Sequence, residues 1–351
     1  MESVDRRTFI AGAAVGVASA TLAHEAEAQS RAHPTTNFAA TRPEGFTPWT
    51  ANGKVVRVTK PGSLRRGGLY PTPEAASAMV ERAVKELTGE TTLANAWRKF
   101  VHPNDVVGIK VNGLGLRNMA SNKETVYAVI QGLVAAGVQP SNIVILEQWS
   151  GFLTATRVQR SEMPAGVRTA VHTNSEVSSE TRVATGRTWY SRAMLGCTAL
   201  IGIPLVKDHS LSGFTGAMKN MTHGNIKNPE DFHRNREGLN CRSHHIPELF
   251  AHDAIRSRVR LHVMDAFKVL YNGGPQDNPA ARSPYESVMV STDPVALDRI
   301  GAEIVDQFRT QNGMRPLERS GRPVQYLAIA EQLGLGVAAR DRIQLSDVRM
   351  T

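Results

Sequence analysis

The chain has 351 residues, with 41 lysines and arginines against 32 acidic side chains and a formal charge of +9. Its two cysteines, Cys197 and Cys241, leave room for one bridge at most, which excludes a disulfide framework and an iron–sulfur cluster held by four thiolates. A basic surface without a nucleic-acid-binding motif points to small anionic molecules or acidic surfaces as partners and to no nucleic acid.

At the N-terminus, VDRRTFIAGAAVGVASATLA sets Arg6 and Arg7 before Thr8, Phe9, Ile10 and a mild run of alanine and glycine. This resembles a twin-arginine export signal, which implies the twin-arginine translocase as a partner and a periplasmic or secreted location. A membrane span needs about 20 apolar residues, so the run from Phe9 to Ala23 predicts no stable span. Cleavage before Gln29 removes residues 1–28 and raises the formal charge from +9 to +11, because four carboxylates leave with two arginines. Residues 29–51, with Pro, Thr and Asn, read as an extended lead-in to an α/β domain over 52–351.

Thr72-Pro73 before EAASAMVERAVKELTG, with Gly89 at the end, predicts a helix over 73–88. DVVGIKVN (105–112) is a short β-branched run and predicts a buried strand. Ser121-Asn122-Lys123-Glu124 has the spacing of a capping box and opens a helix that Gly137 ends. NIVILEQ (142–148) follows as a second strand, which makes a right-handed βαβ unit. TALIGIP (198–204), a helix near 246–256, RLHVMDA (260–266), ESVMVS (286–291) and a helix from Asp293-Pro294 to about Phe308 continue the pattern. The predicted fold is α/β, an open and mostly parallel sheet with helices on both faces.

Ligands of such sheets sit beyond the carboxyl ends of the strands. Lys110, Asn112, Asp265 and Asp293 fall at predicted strand ends. So does VKDHSLSGFTGAMKNMTHGN, which begins at Val206 and is poor in large apolar side chains. Its glycines let the backbone approach a ligand, and Gly213-Phe214-Thr215-Gly216 suits a turn whose N–H groups hold an anion. His209 and Lys219 flank those glycines, an imidazole that exchanges protons and an amine that serves as nucleophile, cofactor anchor or anion clamp. Asp293 has an N-cap's place before a proline, whereas Asp265 ends an apolar strand, where a buried carboxylate needs a partner.

Six of the eleven histidines lie between positions 209 and 252. That density invites a metal, with His223, His233 and His245 as candidate ligands, and Cys241 stands at ligand spacing from His244 without a second half-motif. Two classes of function follow. One is an enzyme acting on a small anionic or hydroxylated metabolite, with His209, Lys219 and Asp265 catalytic and Lys110, Asn112, Gly213 and Gly216 lining the crevice. The other is a periplasmic metal- or anion-binding protein without turnover.

The segments DVVGIKVN, IGIPLVKDHSLSGFTGAMKN, VMDAFKVLYNGGP and STDPVALDRIGAEIV, with the region of His244 and His245 among them, resemble in that order the family of domain of unknown function 362. Many relatives carry cysteine motifs for iron–sulfur clusters, which this chain lacks. HSLSGFTGAMK is also similar to a segment of the nickel-dependent lactate racemases. That likeness implies His209 as an acid/base histidine, Lys219 as the bearer of a covalent nickel-pincer cofactor, and racemase-like chemistry. Past the lysine the two patterns part, since Asn220-Met221-Thr222-His223 stands where the racemases have a proline-glycine element.

Overall fold

The computed structural model describes residues 38–173, 175–183, 186–234 and 243–351. The expected export signal with Arg6 and Arg7, the lead-in up to 37 and Cys241 lie outside the described residues. In chain order the elements that build the site are β1 (Lys54–Thr59), α1 (Pro73–Thr88), β2 (Val107–Lys110), α2 (Lys123–Ala135), β3 (Ile143–Glu147), β4 (Arg168–Val171), β5 (Ala199–Gly202), β6 (Leu205–His209) and β7 (Gly213–Thr215). They continue with α3 (Ala217–Thr222), α4 (His245–Ala251), β8 (Val259–Leu270), β9 (Arg282–Ser291), α5 (Pro294–Gln311), α6 (Tyr326–Gln332) and β10 (Gln344–Arg349).

The ten strands form one mixed sheet in the order β10-β1-β9-β8-β5-β2-β3-β4, with β6 attached to β8 and β7 to β6. The half from β8 to β4 is parallel throughout, as βαβ crossovers require. Antiparallel pairing enters where β9 lies between β8 and β1. Outside the sheet, Thr181–Val183 and Gly186–Thr188 form a small antiparallel pair.

Strands β2 and β3 are buried along their whole length, which explains the continuous apolar runs. Alternate residues serve opposite faces. Ile143 and Ile145 pack with Met79 and Val80 of α1 and Val129 and Leu133 of α2, while Val144 and Leu146 pack with Leu200, Met218 of α3 and Leu249 of α4. No helix among the described residues is long and apolar enough to cross a membrane.

Helix α1 begins and ends as expected, its cap Thr72 accepting from the N–H of Ala75 at 3.1 Å and Gly89 closing it at φ 75°. The expected capping box of α2 does not form. Ser121 Oγ turns away, accepting from the N–H of Asn112 at 2.8 Å and donating to Ile203 O at 2.7 Å, and Glu124 pairs with Arg157 at 2.7 Å. A carboxylate from a distant strand takes over the role. Asp265 of β8 accepts from the N–H of Asn122 at 2.7 Å, from its Nδ2 at 3.0 Å and from Thr125 Oγ1 at 3.1 Å.

That bonding corrects the expectation for Asp265, which is fully buried and spends its oxygens on the start of α2, not on a ligand. Asp293 is likewise an N-cap, accepting from Val295 and Ala296 of α5 at 2.9 Å each and also from Gly53 at 2.8 Å. The helix expected near 246–256 is interrupted at His252, which is extended at ψ 138° and caps a second short helix, Asp253–Arg256.

Replacing Asp265 strands several buried donors, so Asp265→Ala is expected to lower the unfolding free energy by about 1–3 kcal/mol. Urea denaturation monitored by circular dichroism checks this, and an unchanged midpoint would remove the structural role.

Candidate functional site

Lys110 is the last residue of β2 and Glu147 the last of β3. Their strands are adjacent and parallel, so the side chains meet at the carboxyl edge of the sheet. Lys110 Nζ lies 2.9 Å from Glu147 Oε1, both side chains nearly excluded from water. A second bond from Nζ to Val111 O measures 2.5 Å. The carboxylate also accepts from the N–H groups of Gly113 at 3.0 Å and Gln148 at 2.7 Å, so desolvation of the pair is offset by bonds on both sides.

Asn112, two residues beyond, extends this network. Its Oδ1 accepts from Lys207 Nζ at 3.2 Å, and its Nδ2 donates to Asn220 Oδ1 at 3.1 Å. Lys207 of β6 is fully buried, and desolvation, partly opposed by the charges of Glu147 and Asp208, pushes its amine down to about 8.

Strand β6 ends at His209, whose Nδ1 accepts from the N–H groups of Leu211 at 3.0 Å and Ser212 at 3.3 Å. With Nδ1 serving as acceptor, the neutral ring carries its hydrogen on Nε2. Burial, with the charge of Lys219 next, holds this imidazole far below its ordinary range.

The glycine segment differs from the expected anion-binding turn. Gly213–Thr215 is strand β7, paired antiparallel with β6 through Lys207–Thr215 and His209–Gly213. Gly213 has φ 78°, where L side chains are strained, and a Cβ there would lie 2.4 Å from Arg322 O. The N–H groups after Gly216 are already engaged, since Asp298 of α5 accepts from Ala217 at 2.5 Å and Met218 at 3.2 Å. Tyr326 Oη donates to the same carboxylate at 2.9 Å. Gly216 is needed for this approach, because a Cβ would stand 2.0 Å from Asp298 Oδ1. Burial pushes Asp298 up to about 7.

Helix α3 then carries Lys219, whose Nζ is 2.8 Å from His233 Nε2. His233 Nδ1 faces Pro229 O at 2.8 Å. A carbonyl only accepts, so Nδ1 holds the hydrogen and Nε2 accepts from the lysine ammonium. Burial and then the charge of Lys219 push His233 down to about 3. The rings of His209 and His233 stack at 5.4 Å and 9°, and His223 meets His233 edge-on at 4.9 Å and 67°.

These groups surround one cavity of about 270 Å³. Lys110, Asn112, His209, Lys219, His223 and His233 line it, together with Glu147, Thr215 and Asn220, which sequence reasoning missed. Leu114, Trp149, Phe152 and Pro275 supply apolar wall. Glu147 had a signal in its place at the end of NIVILEQ, beside the strand of Lys110. Asp265, Gly213, Gly216 and His245 do not border the cavity. His245 turns its ring edge-on to Phe232 at 5.6 Å, so the expected set of His223, His233 and His245 does not converge. Among the described residues, no three His, Cys, Asp or Glu side chains are arranged to hold a metal ion. Cys197 is buried, its thiol donating to Ala193 O at 3.2 Å.

A family profile described as a domain of unknown function (DUF362) matches residues 107–303, more than half of the chain and every cavity residue named above. The chain belongs to the DUF362 family. Two solved structures are similar at low identity. The crystal structure of a Thermotoga maritima protein is 12% identical with a TM-score of 0.44, over 68% of this chain and 60% of that one. The lactate racemase apoprotein of Thermoanaerobacterium thermosaccharolyticum is 10% identical with a TM-score of 0.44, over 72% and 57%. The DUF362 chain thus spans about three fifths of the length of either. No curated protein matches it.

The histidines give the site a pH signature. Unfolded imidazoles protonate near 6.5, whereas His209, His223 and His233 are all held lower in the fold, His233 at about 3. The unfolded chain therefore binds more protons between about 6.5 and 3, and stability falls as pH falls through that window. Urea midpoints measured from pH 8 down to pH 4 are expected to decline, less steeply in His233→Phe. An equal slope in the variant would contradict the assignment.

Proposed function

We propose that this DUF362 protein is an exported enzyme that binds a small anionic metabolite in the 270 Å³ cavity. The observation that carries the reading is the meeting of two lysine amines, Lys110 and Lys219, with the imidazole of His209 around one hollow. Ammonium groups shielded from bulk water attract an anion more strongly than exposed ones do. The chain's basic balance favours the same ligand class, and the Arg6-Arg7 pattern supports export.

In this reading His209 acts from the acid side. Its Nδ1 is occupied by two backbone N–H groups, which leaves Nε2–H as the group to present to the ligand. A neutral imidazole of this kind polarises an oxygen that gains negative charge during proton transfer. Lys219 balances the ligand's anionic group, Lys110, whose charge Glu147 already offsets, adds a hydrogen bond to it, and the network through Asn112 and Asn220 keeps the two sides in register.

Lys219 is the residue that would hold the covalent nickel-pincer group implied by the likeness to the racemases, and such a group would supply a hydride acceptor. Lys219 Nζ lies 2.8 Å from His233 Nε2, so this reading uses the lysine as an ammonium and takes no step through that cofactor. A metal- or anion-binding role without turnover is the second reading, and the ammonium of Lys219 at the cavity favours its anion form.

Calorimetry with inorganic phosphate and small carboxylates tests the proposal. Lys110→Met and Lys219→Met are each expected to weaken anion binding about 10- to 100-fold, the loss of one charge-assisted hydrogen bond. Gly224→Ala is expected to act similarly with the fold retained, because a Cβ there would lie 2.5 Å from Lys110 Cε and 2.8 Å from its Nζ. Unaltered affinities in all three variants would refute the reading. Intact mass of protein from its native host checks Lys219, and an added mass on it would overturn its role as a free ammonium.

A further inference from the structure

Lys207 of β6 is fully buried and does not border the cavity. Its ammonium makes one hydrogen bond, to Asn112 Oδ1 at 3.2 Å, and it forms no ion pair among the described residues. Buried charges are ordinarily paired, because nothing else offsets the loss of their hydration.

Three carboxylates lie close enough for their charges to act on this amine, and each already has a cation of its own. Glu147 holds Lys110 at 2.9 Å and accepts from the N–H groups of Gly113 and Gln148. Asp208, the next residue along β6, meets Arg322 at 2.7 Å and the N–H of Gly274 at 2.7 Å. Asp277 is bound to Arg282. The other groups around Lys207 supply no counter-charge. Lys110 is a like charge, Thr215 on β7 and Leu270 on β8 are neutral, burial keeps His209 uncharged, and Asp298 of α5 is spent on the start of α3. Two buried ammonium groups, Lys110 and Lys207, therefore stand against one buried carboxylate, Glu147.

One side chain separates the unmatched charge from the cavity, since Asn112 both accepts from Lys207 and lines the wall. An ammonium only donates, so Asn112 turns its oxygen to Lys207 and its Nδ2 to Oδ1 of Asn220, another wall residue. The positive end of that amide dipole points away from Lys207, and the neutral side chain between them does not cancel the field of the ammonium. Desolvation pushes this amine down to about 8, so one further charge nearby decides whether it holds its proton.

We propose that Lys207 is a counter-charge for the anion in the cavity, acting from behind Asn112, so that anion and proton are taken up together. This rests on the anion-binding reading above and adds to it a residue that touches neither the cavity nor the ligand. A bound anion favours the charged amine and raises its pKa. At about pH 8.5, where the amine of the empty site is largely neutral, binding then draws a proton from solution.

Calorimetry of formate and acetate on the full folded chain at pH 8.5, in two buffers of different ionisation enthalpy, counts that proton. Both probes are fully ionised there, so a proton taken up belongs to the protein. The wild-type chain is expected to take up about half a proton or more per anion, and its affinity to fall about tenfold as pH rises from 7.5 to 9.5. In Lys207→Met the uptake should vanish, with affinity about tenfold weaker at pH 7.5 and without the fall at higher pH. A lysine that only supports the fold would leave the proton count unchanged. Asn112→Asp gives Lys207 a carboxylate of its own, so it should also abolish the uptake, and it decides the matter if Lys207→Met fails to fold. Binding without proton uptake by the wild-type chain, or an uptake that persists in the folded variants, overturns the inference and leaves the anion reading standing. Failure of both anions to bind at any pH from 6 to 9.5 overturns both.

Discussion

The site is built on the buried pair of Lys110 and Glu147 at the carboxyl edge of two neighbouring parallel strands. An ammonium so far from water persists only if a carboxylate and further bonds offset its desolvation. Glu147 supplies the carboxylate, and the N–H groups of Gly113 and Gln148 fix that carboxylate where both strands leave the sheet. The pair therefore joins the chain's two exits to the floor of the cavity. Close passage of Gly224 over Lys110 adds the other wall.

Around this floor, hydrogen bonds from the backbone decide which ring nitrogen each histidine presents. His209 has Nδ1 occupied by the turn that follows β6, and His233 has Nδ1 committed to Pro229 O. His223 is oriented by the hydroxyl of Thr222, which itself is tied into the turn of α3. His209 so becomes a donor and His233 an acceptor for Lys219. Burial keeps all three neutral, and the local polarity of the cavity then depends on tautomer and not on protonation.

The buried aspartates follow a different logic. Asp265, Asp293 and Asp298 each end on backbone N–H groups at the start of a helix, where a carboxylate is favoured by the peptide dipoles. Asp298 matters most for the site, since it docks the helix that carries Lys219 against α5 and Tyr326. Strand ends in this fold therefore hold two kinds of charged group, one facing a cavity and one locking a helix. Residue type and position do not separate them.

Much of the architecture is legible in the chain alone. Apolar runs mark β2, β3, β5 and β8 because a central strand must be apolar on both sides, and Thr72-Pro73 and Asp293-Pro294 mark helix starts because cap and proline geometry are local. His209 and Lys219 could be singled out because their segment is polar and glycine-rich and follows a strand, although Val206, Phe214, Met218 and Met221 within it enter the core. Tertiary structure alone decided that Asp265 and not Ser121 caps α2, that Asp298 occupies the N–H groups after Gly216, that Glu147 joins Lys110, and that His223 faces the cavity while His245 packs on Phe232. Periodicity records how often one segment is buried, whereas these partnerships join residues 37 to 143 positions apart or depend on the direction a helix docks, and only the packed sheet brings them together.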